Sequence, residues 1–366
     1  MEFTDLKTQY NNIKEDIQLN INNVLNHGKF ILGPEVNILE NELSKFISSK
    51  NTITTSSGTD SLLISLMAIG IKPGDEIITT PFTFISPIEV IVLLGATPVF
   101  VDIEEDTCLI NAEKIEEKIS KKTKAIIPVS LYGQCPDFEK INKFAKKYNL
   151  TVIEDGAQSF GAKYYKKYSG NLSKIGCTSF FPSKPLGCYG DGGAIFTNNN
   201  DIAEKCREIR AHGQKGKYNH IRLGIGGRLD TIQAAVLISK LKIFKEEIKL
   251  RKKIGDIYNL AFDKNNISRV KTKKNRVSVY GQYTIFSNKR KSLSKYLTNN
   301  GIPSSVHYPN TISDLSPFEK YCSKKLIPNA SIASETVLSI PMSAYLSRDD
   351  QEKVINKVIE FNNLSL

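Results

Sequence analysis

The sequence predicts an α/β fold: a large unit built on a mostly parallel sheet, followed by a smaller α+β unit. Three observations carry this reading. Short apolar runs alternate with segments of helical period from Thr52 to Thr197, the rhythm of successive βαβ units. One apolar run, Thr151-Val152-Ile153, ends in Glu154-Asp155, and a second, Cys177 to Phe181, ends in Ser183-Lys184, which places an acid and a lysine beyond strand carboxyl ends, where such sheets keep their crevices. The composition then turns polar and basic from Asn265 onward, and 366 residues exceed what one core usually holds. Two domains are expected, residues 1–245 with an N-terminal helix and residues 246–366.

The elements follow in order. Leu6, Ile13, Ile17, Ile21 and Val24 recur at mostly helical spacing and predict one helix over 4–27, ending before Gly28. A loop through Pro34 leads to an amphipathic helix over 35–47. Thr52 to Ser56 reads as a strand, then Ser57-Gly58-Thr59-Asp60, then an apolar helix over 61–69 closed by Gly70. Strands are predicted at 76–80, 97–103, 125–129, 151–153 and 194–197, and helices at 86–94, 112–119, 137–148 and 201–211. A helix over 231–251 links the two units. A strand pattern at 277–286 and a helix at 292–299 come next, then Gly301 to Pro309 as turn, strand and loop. Ser347, with Asp350 three residues on, opens the last helix.

Composition limits the function classes. Hydrophobic residues at 40% and charged residues at 24% are ordinary for a soluble globular chain. No run of 18 apolar residues occurs, and the polar N-terminus lacks a signal-peptide core, so a cytoplasmic protein without a membrane partner is expected. Cysteines 108, 135, 177, 188, 206 and 322 form no CxxC pair, so reduced thiols are expected, with neither metal site nor disulfide framework. The net charge of +12 is concentrated late, at Lys249, Arg251, Lys252, Lys253, Lys271, Lys273, Lys274 and Arg276. Without a recognisable nucleic-acid motif or any tryptophan, this reads as a solvated basic face, with no nucleic-acid partner.

Lys184 and Asp155 suggest a specific chemistry. A lysine amine condenses with an aldehyde cofactor such as pyridoxal 5'-phosphate, whose ring nitrogen needs a neighbouring carboxylate to stay protonated. A surface lysine and a capping aspartate are the ordinary alternative. Ser57-Gly58-Thr59 at a helix start suits a phosphate, because free N–H groups and the helix dipole face an anion there, although plain N-capping reads equally well. Phe84, just after a strand, is either a ring-stacking or a core aromatic. His307 is one of four histidines and by itself reads as structural.

EDGAQSFGA, SFFPSKPLG and GDGGA, in this order, resemble the DegT/DnrJ/EryC1 family of sugar-nucleotide aminotransferases over about Phe3 to Phe361. IIPVSLYGQCPDF and RLDTIQAA look most like its UDP-3-oxo-glucuronate branch. The resemblance implies the fold type I aminotransferase architecture, pyridoxal phosphate cycling through its pyridoxamine form, and catalytic Lys184 and Asp155. It implies Gln158 beside the cofactor's ring hydroxyl, Phe84 stacked on the ring, and phosphate contacts from Ser57, Gly58, Thr59 and Ser179. Substrate contacts would come from His307, Tyr308 and Arg228, the last reaching into a partner's site in a homodimer with shared active sites. The implied substrates are L-glutamate and a UDP-linked 3-oxo-N-acetylhexosaminuronate, for a 3-amino sugar of cell-surface polysaccharide such as lipopolysaccharide O-antigen. Gly226 departs from the family pattern, standing where the family has a phosphate-contacting asparagine. UDP-3-oxo-N-acetylglucosamine and 4-oxo sugars stay open as substrates. A dehydratase would carry histidine at Lys184, and a non-catalytic pyridoxal-phosphate-binding regulator is the reading from another class.

Overall fold

The computed structural model describes residues 1–364. Asp5 Oδ1 accepts from Thr8 N–H (2.9 Å) and starts α1 (Leu6–Asn12). The helix predicted over 4–27 breaks at Ile13 (φ −131°, ψ 21°), and α2 (Lys14–His27) continues to a left-handed Gly28. α1 buries Gln9, whose Nε2 donates to Glu247 Oε1 (2.7 Å), and α2 buries Ile17 and Val24. α3 (Pro34–Ile47) opens with proline, whose missing N–H is no loss in a first turn.

The large unit then alternates as expected: β1 (Asn51–Thr55), α4 (Gly58–Ile69), β2 (Glu76–Thr79), α5 (Ser86–Leu93), β3 (Thr97–Phe100), β4 (Thr123–Ile126), α6 (Phe138–Lys147) and β5 (Thr151–Asp155). Residues 112–119 form two single 3₁₀ turns instead of the predicted helix. Asn111 Oδ1 holds the Glu113 N–H (3.0 Å), and Ile115 is wholly buried between the turns. A hairpin of β6 (Lys163–Tyr164) and β7 (Lys167–Tyr168) precedes β8 (Ile175–Ser179), β9 (Gly193–Thr197) and α7 (Asn200–Arg210).

Seven strands form one sheet in the order β1-β9-β8-β5-β4-β2-β3. Only β9 is reversed, pairing antiparallel with β8 and β1. Ile53, Ile77, Ile126, Ile153, Ile175 and Ile195 are each 0% exposed, as the strands of a sheet covered on both faces must be. The carboxyl ends of β1, β2, β5 and β8 therefore share one edge.

α8 (Thr231–Lys264) runs well past the predicted end at Arg251, because Ile254, Tyr258 and Phe262 continue its apolar face into the second core. β10 (Arg276–Val277), β11 (Tyr283–Phe286), α9 (Arg290–Asn299), α10 (Pro328–Thr336), β12 (Val337–Ile340) and α11 (Arg348–Leu364) complete the chain. β11 and β12 pair antiparallel, and Tyr258, Tyr283, Leu297, Ile340 and Val354 fill the core beneath them. The predicted strand at 277–286 is thus two, and β10 leaves to pair with β6. Ser347 Oγ accepts from Asp350 N–H (3.1 Å) ahead of α11, as its sequence suggests.

The basic cluster is largely engaged: Lys271 pairs with Asp263, Lys273 with Asp106, Lys249 with Glu246 and Lys252 with Asp256. Five of the six free cysteines are buried. No helix among the described residues is long and apolar enough to cross a membrane.

Candidate active site

Alternation along β5 sends Glu154 and Asp155 to opposite faces of the sheet. Glu154, 0% exposed, accepts from Ser130 Oγ (2.9 Å), Ser169 Oγ (2.6 Å) and Gly170 N–H (2.8 Å), and burial pushes its carboxyl up. Asp155 emerges at the strand end, 6% exposed, where Oδ1 accepts from Ala157 N–H (3.1 Å). Burial raises its pKa, and the Ala157 N–H and the Lys184 ammonium oppose the rise.

β5 and β8 lie side by side, with Asp155 opposite Cys177. Beyond β8 the chain makes a tight turn, with Lys184 N–H donating to Phe181 O at 2.9 Å. Gly187 closes it, since a Cβ there would lie 2.5 Å from Pro182 O and 2.7 Å from Phe181 O. Lys184 is half-buried at the tip. Burial lowers its amine's pKa, while the Asp155 charge pulls it back up, so the two sense each other across the pocket.

The N-terminus of α4 meets the end of β8. Ser57 Oγ accepts from Asp60 N–H (3.0 Å), and a Cβ at Gly58 would stand 2.7 Å from Ser179 Cβ. Glycine therefore lets the helix start approach Ser179. Thr59 Oγ1 lies 2.7 Å from Ser86 Oγ at the start of α5. Beyond the Asp60 N–H that Ser57 Oγ takes, the first-turn N–H groups of α4 have no acceptor within their own helix, and the hydroxyls of Ser57, Thr59 and Ser86 belong to the same corner.

Aromatic and polar groups close the other side. Phe84 is 54% exposed, a pocket-rim residue rather than a core phenylalanine, with its ring 6.1 Å from that of Tyr308. Gln158 is buried, accepting from Tyr132 N–H (2.8 Å) and donating to Tyr308 Oη (3.0 Å). Tyr132 Oη donates to the His307 carbonyl. His307 Nδ1 lies 3.0 Å from Ser339 Oγ. Burial, aided by the Lys184 charge, holds its imidazole down to about 4. Burial also pushes the Tyr308 phenol up. His307 and Tyr308 thus join Lys184, Asp155 and Gln158 in one pocket.

Arg228 is separate. It is half-buried on the loop after α7 and makes no hydrogen bond or ion pair among the described residues. Gly227 O accepts from Ser56 N–H (3.0 Å), which fastens this loop beside the start of α4. A Cβ at Gly226 would sit 3.2 Å from His212 Cε1, so the imidazole flanks the place of the family's asparagine. Glu154, Ser86, Tyr132 and Ser339 support the pocket without having been singled out from sequence. Only Glu154, adjacent to Asp155, carried a signal there.

A mostly parallel sheet with a lysine turn and an acid at its carboxyl edge defines an aminotransferase-type scaffold. Residues 11–359 match the DegT/DnrJ/EryC1/StrS aminotransferase family. The chain is 49% identical to the UDP-2-acetamido-2-deoxy-3-oxo-D-glucuronate aminotransferase of Pseudomonas aeruginosa, over 94% of this chain and 96% of that protein. It is 41% identical to a pleiotropic regulatory protein of Geobacillus stearothermophilus, over 98% and 97% of the two chains. The solved structure of NtdA from Bacillus subtilis with bound cofactor PMP superposes with a TM-score of 0.89 at 30% identity, over 96% of this chain and 82% of that one. The chain belongs to the DegT/DnrJ/EryC1/StrS aminotransferase family and is an aminotransferase.

Proposed function

We propose that this enzyme transfers an amino group from glutamate, through pyridoxal phosphate, to the 3-oxo group of a UDP-linked N-acetylhexosaminuronate, making a 3-amino sugar nucleotide for cell-surface polysaccharide. The observation that carries the reading is the pairing of Lys184 and Asp155 at the ends of neighbouring strands. The residues fit the cofactor: Asp155 interacts electrostatically with Lys184, the Phe84 and Tyr308 rings lie 6.1 Å apart beside them, and the helix start at Gly58 suits a phosphate. When bound, pyridoxal phosphate supplies an electron sink for the carbanion formed as a proton leaves the donor's α-carbon.

The chain's own residues do the rest. Lys184 would hold the cofactor through its amine and, when free, would carry the proton. Its lowered pKa favours the neutral, basic form that this task needs. Asp155 keeps the ring nitrogen protonated. Burial raises the energy of its carboxylate, so an adjacent cation is strongly preferred. Gln158, tied to Tyr132 and Tyr308, would meet the ring hydroxyl. Ser57, Gly58, Thr59 and Ser179 would hold the phosphate, and Phe84 would supply an aromatic face for the ring.

His307, held neutral near pH 7, offers the sugar a hydrogen bond rather than a charge. A C6 carboxylate would then depend on Arg228, delivered by the second copy of a homodimer, because a guanidinium fork matches a planar anion. The Pseudomonas relative supports the uronate, and the described chain's lack of a membrane-crossing helix is compatible with a cytoplasmic enzyme. The test is a half-reaction. Enzyme converted to the pyridoxamine form with glutamate and freed of excess donor is mixed with UDP-3-oxo sugars bearing or lacking the C6 carboxylate. Recovery of the lysine-bound cofactor absorbance with the uronate alone is expected, and recovery with the neutral sugar alone refutes the assignment. The Geobacillus relative favours a second reading, a regulator, which would bind cofactor yet show no turnover with any donor.

A further inference from the structure

The turn bearing Lys184 is gripped from outside the pocket by one face of α8. Gln233 and Lys240, seven residues apart and so two turns along the same face, both reach it. Gln233 Oε1 accepts from Tyr189 N–H (2.8 Å), and its Nε2 donates to Tyr189 O (3.4 Å). Lys240 is only 1% exposed. Its Nζ donates to Gly187 O at 2.7 Å and lies 4.2 Å from the centroid of the Tyr189 ring.

This is an unusual place for an ammonium. Among the described residues no carboxylate comes within ion-pair distance of it; a carbonyl and an aromatic face are its partners. Fully buried lysines are rare, and a methionine would fill similar volume without the desolvation penalty. What the charge adds is a fixed direction at Gly187, a position packed so closely that a Cβ would lie 2.5 Å from Pro182 O and 2.7 Å from Phe181 O. Both ends of the turn are then constrained, by the Lys184 N–H on Phe181 O and by Lys240 on Gly187 O.

We propose that Lys240 is a positioning residue for Lys184, its ammonium fixing Gly187 and Tyr189 so that the Lys184 amine points at the reacting carbon. The inference rests on Lys184 carrying the cofactor. Borohydride reduction of the wild-type holoenzyme followed by mass spectrometry checks that first: absence of the label on Lys184 refutes the function proposed above and leaves the grip of α8 without a catalytic purpose.

With Lys184 labelled, full-length Lys240→Met holoenzyme is compared with wild type by visible circular dichroism of the bound cofactor, cofactor dissociation rate, kcat and KM. Loss of one charge-assisted hydrogen bond predicts dissociation faster by about tenfold or more, a weakened dichroic band and kcat lowered about tenfold, with KM for the sugar nearly unchanged. Unchanged dichroism and dissociation overturn the proposal, even if the melting temperature falls, since that would mark a purely structural lysine. Tyr189→Leu removes the ring and keeps the ammonium, and it decides the matter if Lys240→Met does not fold. Its expected effect is about threefold in the same direction, in line with one cation–π contact, and no effect overturns the proposal.

Discussion

Replacing His307 with glutamine removes a group whose proton affinity differs between the folded and unfolded chain. In the folded protein the imidazole is held down from 6.5 to about 4, first by burial and then by the Lys184 charge. The unfolded chain therefore binds this proton more readily, and His307 takes stability away as the pH falls from 6.5 towards 4. At about pH 5 the two affinities differ in occupancy enough to give about 2 kcal/mol as an upper bound. Solvent reaching a half-buried ring screens part of this, and about 1 kcal/mol is expected. The assay is urea unfolding of cofactor-free protein at about pH 7 and about pH 5. Wild type should lose about 1 kcal/mol more than His307→Gln over that interval. Equal losses would refute the argument. So would an imidazole resonance, present in wild type and missing from the variant, that titrated near 6.5.

Other perturbations separate the parts of the pocket. Glu154→Gln puts an amide among three donors and should lower stability by about 1–3 kcal/mol in urea titrations. Gly58→Ala forces a methyl to within 2.7 Å of Ser179 Cβ. Cofactor affinity measured by fluorescence quenching should fall about tenfold or more while the sheet core keeps its thermal stability. Arg228→Met should lower kcat/KM for the uronate by about ten- to a hundredfold, the worth of a charge-assisted bond, and leave the neutral sugar almost unaffected.

The catalytic edge was legible because its strands are short apolar runs with polar ends, and the residues after β1, β2, β5 and β8 came together as their positions implied. Phe84 could not be settled from sequence, since a core and a rim phenylalanine look alike until exposure is known. The break at Ile13 was hidden because isoleucine continues the apolar period across it. β6 and β7 escaped notice because each has two residues, lysine and tyrosine, with no run for a period to show in, and β10, Arg276–Val277, was merged with β11. Lys240 was invisible for a related reason: a lysine in KLKIF reads as a solvated face, and only the tertiary structure seals it beneath Tyr189. Gly226 was legible as a departure, but its neighbour His212 lies 14 positions away and was not.

The unbroken length of α8 has a consequence for how this chain can vary. Its 34 residues carry Gln233 and Lys240 at one end and, further on, Arg251, whose Nη1 donates to Tyr280 O at 3.0 Å, then Tyr258 and Phe262 in the second core. Deleting a single residue between Lys240 and Arg251 would turn everything beyond by about 100° and draw it in by about 1.5 Å. Every contact past that point would then face the wrong way at once. Such a rod accepts substitutions one by one but has a fixed phase, so gains and losses of length must fall in the loops on either side of it.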